Sequence, residues 1–323
     1  MGLSFILLIV GLVLILLGAD ALVNGASAVA RKYGISEFVV GLTIVGIGTS
    51  APELIVSAIS AIKGSSDIAI GNVVGSNISN VFMILGITAM ISPIVLTKNN
   101  LKFDLPIALG VSVLLFVLAY DSIFLGKSTN VISRWDGLIL FVLFVLFMIY
   151  SFKSSSSEQK DEASESGTEQ EKINIVKSAI LIIAGLAGLI FGGRLFVNSG
   201  SEIARGFGVS DAFIGITVMA VGTSLPELAA SINAAMKKKS QMALGNIIGS
   251  NIFNILLILG TSSIINPLTL GGITMVDMAM MILTTVLIIL SALLINRKEI
   301  KRPVGAIFFI IYIAYVIYLA SNL

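Results

Sequence analysis

The sequence predicts an all-α integral membrane protein, with ten transmembrane helices in two inverted-topology five-helix repeats and broken helices at the midplane. Three observations predict this fold: the composition, an internal duplication and the distribution of basic residues. Of the 323 residues, 56% are hydrophobic and 12% are charged, and the mean hydropathy is +1.04. Since soluble domains carry about 25% charged residues, we expect this chain to lie in a bilayer.

Ten apolar runs are long enough to cross a hydrocarbon core, which takes roughly 20 helical residues. The first run has no basic residue before Arg31 and is longer than the core of a signal peptide, so we expect it to be retained as a span. The predicted spans are residues 3–30, 36–62, 67–91, 104–122, 132–151, 174–203, 210–236, 240–265, 275–296 and 303–321.

Two polar motifs occur twice. Residues 43–54 read TIVGIGTSAPEL and residues 217–228 read TVMAVGTSLPEL, while residues 71–80 read GNVVGSNISN and residues 245–254 read GNIIGSNIFN. Both pairs have the same offset of 174 residues, since residue 43 aligns with 217 and residue 71 with 245. The chain therefore contains one duplicated unit.

The basic residues predict the orientation. One set of alternate loops holds most of the 20 Lys and Arg residues, whereas the other set holds only Lys63, Lys127, Arg134 and Arg205. The positive-inside rule places the first set in the cytoplasm and both termini outside the cell membrane. Because each half has an odd number of spans, the second copy must cross the membrane upside down, an arrangement typical of secondary transporters.

The predicted organisation is a first repeat over 1–151, a linker over 152–173 and a second, inverted repeat over 174–323. The linker is polar, acidic and low in complexity, so we expect a flexible cytoplasmic segment. Its acidic residues either bind calcium weakly and regulate the protein or only keep the loop soluble, and solubility is the simpler interpretation.

Each repeat places a glutamate, Glu53 or Glu227, within an apolar run. A carboxylate at membrane depth costs several kcal/mol unless something binds it, so it marks a functional site. On a helix, Thr49 and Ser50 share a face with Glu53 through i+3 and i+4 spacing. Pro52 is expected to break the helix beside Glu53 and to free main-chain carbonyls, which a bound cation would satisfy.

In the next span, Asn72, Ser76 and Asn80 follow i, i+4, i+8 spacing on one face, and the second copy repeats this pattern. Inverted packing of the two copies would gather carboxylates, hydroxyls, carboxamides and carbonyls around one centre. Calcium takes six to eight such oxygens. Two glutamates bring a charge of −2, which one Ca²⁺ or two Na⁺ would neutralise, whereas Mg²⁺ suits the site less because it retains its waters.

The chain has no Cys and no His. This excludes thiolate and imidazole metal sites, zinc proteases with a His-Glu-x-x-His motif, and serine–histidine triads. The remaining hard oxygen ligands suit Na⁺, Ca²⁺, Mg²⁺ or Mn²⁺. A net charge of +2 does not suggest a nucleic-acid partner.

At these motifs the chain resembles the cation/calcium exchanger superfamily, most closely the prokaryotic sodium/calcium exchangers. The resemblance covers nearly the whole chain and includes both G-T-S-x-P-E and both G-N-x-x-G-S-N-x-x-N motifs, in order. It implies one Ca²⁺ site and several Na⁺ sites at the midplane. The implied ligands are Thr49, Ser50, Glu53, Ser76, Asn80, Thr223, Ser224, Glu227, Ser250 and Asn254, with backbone carbonyls near Gly46 and Ala220.

Two departures from the family pattern bear on this site. Some members carry Asp at the position of Asn254, where the potassium-dependent branch associates that carboxylate with potassium, so Asn254 suggests potassium independence. Gly46 in the first copy corresponds to Ala220 in the second, which suggests different backbone flexibility in the two half-sites.

Each candidate residue also has a simpler interpretation. One glutamate could form a buried ion pair with Arg194, and the Thr and Ser hydroxyls could bond back to carbonyls of their own helix. Asn72, Asn77, Asn246 and Asn251 fit helix–helix contacts or caps better than ligands. In the family the first and sixth helices slide across the core. Asp20 and Arg194 occupy equivalent positions on these helices, and they either gate that motion or extend to the membrane–water interface.

The sequence therefore predicts a secondary antiporter that exchanges Na⁺ for Ca²⁺ by alternating access, with no covalent chemistry and no cofactor. Its partners are the two ions and the lipid bilayer, and no obligate protein partner is implied. A proton-coupled calcium antiporter on the same fold is the alternative, although similarity favours sodium. A cation channel would need no counter-ion, and an intramembrane enzyme would need a nucleophile–base pair that the sequence does not show.

Overall fold

The computed structural model describes residues 2–124, 126, 129–162, 174–207, 220–294 and 299–321. In the first half the elements are α1 (Gly2–Tyr33), α2 (Glu37–Thr49), α3 (Ala51–Ile62), α4 (Ser66–Ile91), β1 (Ile94–Val95), α5 (Asn100–Ala119), α6 (Asp121–Phe124), β2 (Val131–Ile132) and α7 (Arg134–Glu162). In the second half they are α8 (Ile175–Gly206), α9 (Ala220–Thr223), α10 (Leu225–Met236), α11 (Ser240–Ile265), β3 (Leu268–Thr269), α12 (Met275–Leu294), β4 (Glu299–Ile300) and α13 (Arg302–Ser321).

Apart from four two-residue strands, the regular structure of the described residues is helical and suited to a membrane. Among the described residues, eight helices are long and apolar enough to cross a bilayer, and the bent pair α2–α3 forms a ninth. The predicted span 210–236 begins outside the described residues, and its described part is α9 and α10. At the same 174-residue offset the sequence also matches Gly34 to Gly208 and Ser36–Glu37 to Ser210–Asp211, but the second member of each match lies outside the described residues.

The helix that contains the predicted span 132–151 is longer than its apolar run. The helical backbone of α7 continues to Glu162, into the segment predicted as a linker. The added residues include Lys, Glu and Gln but no Gly or Pro, so a helix that leaves the bilayer can continue in water. The rest of the predicted linker, residues 163–173, is outside the described residues.

Elements of the two halves correspond at the 174-residue offset. Helix α4 matches α11 and α3 matches α10, residue for residue at both ends. Two short antiparallel ladders join the halves: β1 pairs with β4, with Ile94 opposite Ile300, and β2 pairs with β3, with Ile132 opposite Leu268. Each ladder therefore combines one loop from each half.

The two longest helices, α1 and α8, cross with their backbones in close approach. A Cβ atom added at Gly18 would lie 2.8 Å from the carbonyl oxygen of Gly185, and one added at Gly11 would lie 2.8 Å from that of Gly192. Small residues are what permits such an approach between membrane helices. Because residues further along α1 contact residues nearer the start of α8, the two helices run antiparallel.

Helices α4 and α11 form the centre of the protein. The apolar windows of these spans are 78% and 94% buried, against 22–44% for the other described single-helix spans. Polar residues on α4 and α11 are therefore surrounded by protein rather than by lipid. These are the helices that contain the second polar motif of each repeat.

Candidate cation site

The first motif of each repeat lies at a helix break. Helix α2 ends at Thr49, and α3 begins at Ala51 with a bend of 48°. At the junction, Ser50 has φ −81° and ψ 8°. Pro52 occupies the first turn of α3, where its missing N–H costs no helical hydrogen bond. The predicted break beside Glu53 is confirmed.

The second copy has matching backbone angles at its junction. Helix α9 ends at Thr223, and Ser224 has φ −88° and ψ 2° before α10 begins. Pro226 again lies in the first turn and Glu227 follows it. Ala220 is the first described residue of α9, and the described backbone from there to Thr223 is helical.

The second motifs contain a feature that the sequence did not predict. A π-helical turn begins at Asn80 and spans Asn80–Leu85, and another spans Asn254–Leu259. Such turns insert one extra residue into a helix and are frequent at functional sites. Both begin at a predicted carboxamide ligand.

The two halves meet through the predicted ligands. Ser50 Oγ donates to Glu227 Oε1 at 3.0 Å and lies 3.0 Å from Ser250 Oγ. Thr49 Oγ1 lies 3.2 Å from Asn246 Oδ1 of the opposite half. The structure therefore brings hydroxyls of the first copy into contact with a carboxylate and a hydroxyl of the second.

The predicted ligand side chains are almost all removed from solvent. Glu53 and Glu227 are each 1% exposed, although both are carboxylates. Thr223 is the exception, because it is half-buried and lines a groove. The other predicted side-chain ligands are buried, namely Thr49, Ser50, Ser76, Asn80, Ser224, Ser250 and Asn254.

Four buried oxygens of these motifs have no hydrogen-bond donor among the described residues. They are Glu53 Oε2, Glu227 Oε2, Asn80 Oδ1 and Asn254 Oδ1. Buried polar atoms are normally satisfied, and an unsatisfied one costs about 1–3 kcal/mol. All four are acceptors, and they form two equivalent pairs of the repeat. A cation is the kind of ligand that would satisfy them.

The alternative interpretation of the glutamates as an ion pair with Arg194 does not hold. Arg194 is exposed on α8 and lines the groove. The described ion pairs include none between Arg194 and Glu53 or Glu227. The two carboxylates therefore have no basic partner in the part of the chain that the structure describes.

The interpretation that the hydroxyls bond back to their own helix holds for Thr49 but not for Ser50. Thr49 Oγ1 donates back to the carbonyl of Val45 at 3.0 Å, as a helix-bonded threonine does. That bond uses its proton and leaves lone pairs for a cation. Ser50 instead donates across the interface to Glu227.

Asn72 and Asn246 support the glutamates from behind. Asn72 Nδ2 donates to the Glu53 carbonyl at 3.2 Å and to Ser57 Oγ at 3.0 Å. Asn246 Nδ2 donates to the Glu227 carbonyl at 3.3 Å and to Ser231 Oγ at 2.9 Å. These contacts confirm a helix–helix bonding role for both residues.

Sequence reasoning missed Ser79. This buried hydroxyl lies 3.3 Å from Ser224 Oγ, a predicted ligand. The position has no polar equivalent in the repeat, because the second copy has Phe253 there, which packs edge-on against Phe144 with ring centroids 5.5 Å apart. Because Ser79 has no polar counterpart in the second copy, the repeat pattern does not single it out.

The donor set suits a hard cation. Carboxylates, hydroxyls and carboxamides are oxygen ligands of the type that Na⁺ and Ca²⁺ prefer. Within the described residues, no group of three or more His, Cys, Asp or Glu side chains converges. The predicted ligand set therefore joins two carboxylates to neutral oxygens, and its binding of an ion stays a prediction.

A groove on one side of the protein reaches one of the predicted ligands, Thr223. It lies between α8 and the first turns of α3 and α10, and its walls include Pro52, Val56, Val197 and Thr223. At the repeat-equivalent positions the protein is closed. Val23, which corresponds to Val197, is 0% exposed, and Ala230, which corresponds to Val56, is 1% exposed.

An ion pair lies on the closed side. Lys237 Nζ contacts Asp20 Oδ1 at 2.5 Å and donates to Asn24 Oδ1 at 2.7 Å, and so joins α1 to the end of α10. The repeat-equivalent residues of Asp20 and Lys237 are Arg194 and Lys63. Both are basic, so they cannot form the same contact on the groove side.

The chain matches one family model in two segments. The model described as "Sodium/calcium exchanger protein" matches residues 3–153 and 177–320. The two matched segments leave out most of the polar stretch between the halves.

The chain also matches several relatives over nearly the whole length of both chains. The chain is 36% identical over 348 residues to the sodium/calcium exchanger MaX1 of Methanosarcina acetivorans, covering 98% of each chain. It is 35% identical over 335 residues to the inner membrane protein YrbG of Escherichia coli, covering 100% of this chain and 99% of YrbG. A solved structure of the sodium-calcium exchanger NCX_Mj, soaked with 2.5 mM Na⁺ and 0.1 mM Ca²⁺, superposes with a TM-score of 0.82 at 34% identity, covering 97% of each chain.

Proposed function

We propose that this chain, which belongs to the sodium/calcium exchanger protein family, is a secondary antiporter that exchanges Na⁺ for Ca²⁺ across the cell membrane by alternating access. Members of this family are cation/calcium exchangers and not enzymes. The coupling to sodium, the ion ligands and the transport cycle are the parts that we propose.

One observation carries the proposal. Four buried acceptor oxygens, contributed equally by the two repeats, have no donor among the described residues, and two of them belong to carboxylates. These four oxygens are therefore free to accept a cation, while the other carboxylate oxygen of Glu227 accepts a hydrogen bond from Ser50. The predicted ligands around it are Thr49, Ser50, Glu53, Ser76, Asn80, Thr223, Ser224, Glu227, Ser250 and Asn254, with main-chain carbonyls near Gly46 and Ala220.

The charge of the site favours exchange of these two ions. With Glu53 and Glu227 ionised, one Ca²⁺ or two Na⁺ would neutralise the site. Both ions would use the same oxygens, so neither set of ions could be fully bound while the other is present. An antiporter requires this kind of mutual exclusion. Asn254 keeps the charge at −2, which fits sodium and calcium without potassium.

The fold supports an inverted-repeat architecture of ten spans, with repeats over 1–151 and 174–323. Helices α1 and α8 open the two halves and run antiparallel, as inverted copies require. In the predicted topology, both loops of the β1–β4 ladder are cytoplasmic and both loops of the β2–β3 ladder are external, so each ladder joins loops on one side. Both termini are then external and the 152–173 segment is cytoplasmic.

The groove and the ion pair support alternating access. In the predicted orientation, the groove beside Thr223 opens outwards and the Asp20–Lys237 contact closes the cytoplasmic side. The reverse state would arise if α1 and α8 moved together across the core, closing the groove and exposing Val23. The ion pair would have to break in that step.

We expect Asp20→Asn to favour the inward-open state, because it removes the charge that holds Lys237 on α1. The pair is partly exposed, so its contribution is modest and the expected shift is about two- to fivefold. The chain has no native cysteine, so a single Val23→Cys substitution provides a specific probe. Its rate of labelling by a thiol reagent should rise by that factor in the Asp20→Asn background.

A charge exchange provides the control. Asp20→Lys alone should speed labelling at least as much, and the combination of Asp20→Lys with Lys237→Asp should restore the slow rate. Unchanged labelling in all backgrounds would show that the ion pair does not hold the closed side.

The transport proposal is tested with ⁴⁵Ca²⁺ uptake into proteoliposomes. Vesicles loaded with Na⁺ should accumulate Ca²⁺, and matched vesicles loaded with K⁺ should not. A third set, loaded with acidic buffer and no sodium, tests the proton-coupled alternative, which the two buried carboxylates would also permit. Uptake driven equally by protons would overturn sodium coupling, and uptake with no counter-ion gradient would indicate a channel.

A further inference from the structure

Four asparagines form a closed hydrogen-bond network where α4 and α11 cross. Asn77 Nδ2 donates to the main-chain carbonyl of Asn251 at 3.2 Å, and Asn251 Nδ2 donates to that of Asn77 at 3.2 Å. Asn80 Nδ2 donates to Asn251 Oδ1 at 2.9 Å, and Asn254 Nδ2 donates to Asn77 Oδ1 at 2.9 Å. All four side chains are buried.

The network gives each carboxamide a direction. A carboxamide has one acceptor atom and one donor group, which can exchange places by a half-turn of the side chain. In Asn80 and Asn254 the NH₂ groups are taken by Asn251 and Asn77, so the oxygens point away from the network. Those two oxygens are the ones without a donor.

The direction originates in the main chain. A backbone carbonyl can only accept, so Asn251 must turn its NH₂ towards the carbonyl of Asn77. Its Oδ1 then faces Asn80, which can contact it only through an NH₂. A reversed Asn80 would set oxygen against oxygen and turn an NH₂ group towards the ions. The same reasoning links the Asn251 carbonyl through Asn77 to Asn254.

We propose that Asn77 and Asn251 are positioning residues for ion binding: each holds the carboxamide of one ligand, Asn254 or Asn80 respectively, with its oxygen towards the cations. This inference rests on the proposed function, since it concerns the same site. Neither residue needs to touch an ion, and both act through hydrogen bonds to residues that do.

The first test is the affinity of purified protein for Ca²⁺, measured by calorimetry in detergent without sodium. Asn77→Leu and Asn251→Leu should each weaken binding roughly 10- to 100-fold, the usual effect of removing a partner that orients a metal ligand. Asn77→Ala and Asn251→Ala remove the same carboxamides without apolar bulk, and we expect the same result from them if the leucine variants fold poorly.

Asn266→Leu is a matched control. Asn266 Nδ2 donates to the carbonyl of Ala61 at 3.1 Å, a bond that also joins the two halves but involves none of the predicted ligands. Its removal should leave the Ca²⁺ affinity within about twofold of wild type. A comparable loss in this control would attribute the effect to general loosening and overturn the positioning role.

Double variants give a sharper readout. In the Asn254→Ala background, Asn77→Leu should have little further effect, because the side chain that it orients is gone. In the Asn80→Ala background it should keep its full effect, and Asn251→Leu should show the opposite pattern. We expect the two backgrounds to differ by about tenfold, whereas a merely structural role would give equal losses in both.

The outcomes separate the two proposals. Ca²⁺ binding to the wild type with equal losses in both backgrounds would overturn the positioning role and leave the proposed function intact. Failure of the wild-type protein to bind Ca²⁺ would overturn the proposed function, and the positioning role with it.

Discussion

Replacement of either buried glutamate by glutamine is expected to abolish coupled exchange and to weaken Ca²⁺ binding on the order of 10²–10⁴-fold. Glutamine keeps the shape of the side chain and one oxygen but removes the negative charge. A Ca²⁺ ion in the site would then face a single carboxylate, in a place where each of the two native glutamates is only 1% exposed. Removing one member of a buried charge pair costs about 3–5 kcal/mol, which corresponds to that loss of affinity.

The measurement is Ca²⁺ affinity by calorimetry, together with sodium-driven ⁴⁵Ca²⁺ uptake, for Glu53→Gln and Glu227→Gln separately. Glu202→Gln provides a control, because Glu202 lies exposed on α8, where it accepts a hydrogen bond from Ser4 Oγ at 2.9 Å. It should transport as wild type does. Normal uptake in either buried-site variant would rule out the corresponding carboxylate as an essential ligand.

Introduction of a methyl group at Gly249 is expected to lower the free energy of unfolding by about 1–3 kcal/mol. Its Cβ would lie 2.7 Å from the carbonyl oxygen and 2.8 Å from the Cα atom of Leu42. These are main-chain atoms of α2, so relief requires the two helices to separate. Because Ser250 follows directly, the same shift should draw a predicted ligand away from Ser50 and weaken Ca²⁺ binding.

Thermal unfolding in detergent, with and without Ca²⁺, measures both effects for Gly249→Ala. The matched control is Gly110→Ala on α5, where the added Cβ would have no heavy atom within 4 Å in the described structure. Alanine favours helix over glycine by roughly 0.5–1 kcal/mol, so this control should be slightly more stable than wild type. If both variants melt alike, the close approach of α2 and α11 does not limit stability.

Much of the candidate site could be predicted from the sequence alone, because residue type and spacing within short segments indicate its ligands. Glu53 and Glu227 stand out as carboxylates within apolar runs, and the helix break beside them follows from Pro52 and Pro226. The i, i+4 spacing of Ser76 and Asn80 is enough to place both side chains on one face of a helix. Each of these inferences depends on only a few neighbouring residues. The recurrence of the same pattern in the second copy indicates that the pattern is not accidental.

The contacts between the halves could not be predicted in this way. The spacing of the first motif does not indicate that Ser50 would bond to Glu227, or that Ser79, absent from the second copy, would contact Ser224. The π-helical turns at Asn80 and Asn254 also have no sequence signature that we recognised. Arg194 was a plausible partner for a glutamate until the structure placed it in the groove.

The sequence by itself determined the membrane class, the duplication, the family and the chemical identity of the predicted ligands, because hydropathy, spacing and residue type are properties of short segments. Only the tertiary structure decided which buried oxygens are left without donors, which way the carboxamides point and which side of the protein is closed. Those properties depend on hydrogen bonds and ion pairs between residues about 170 to 220 positions apart. They exist only when the two halves pack against each other.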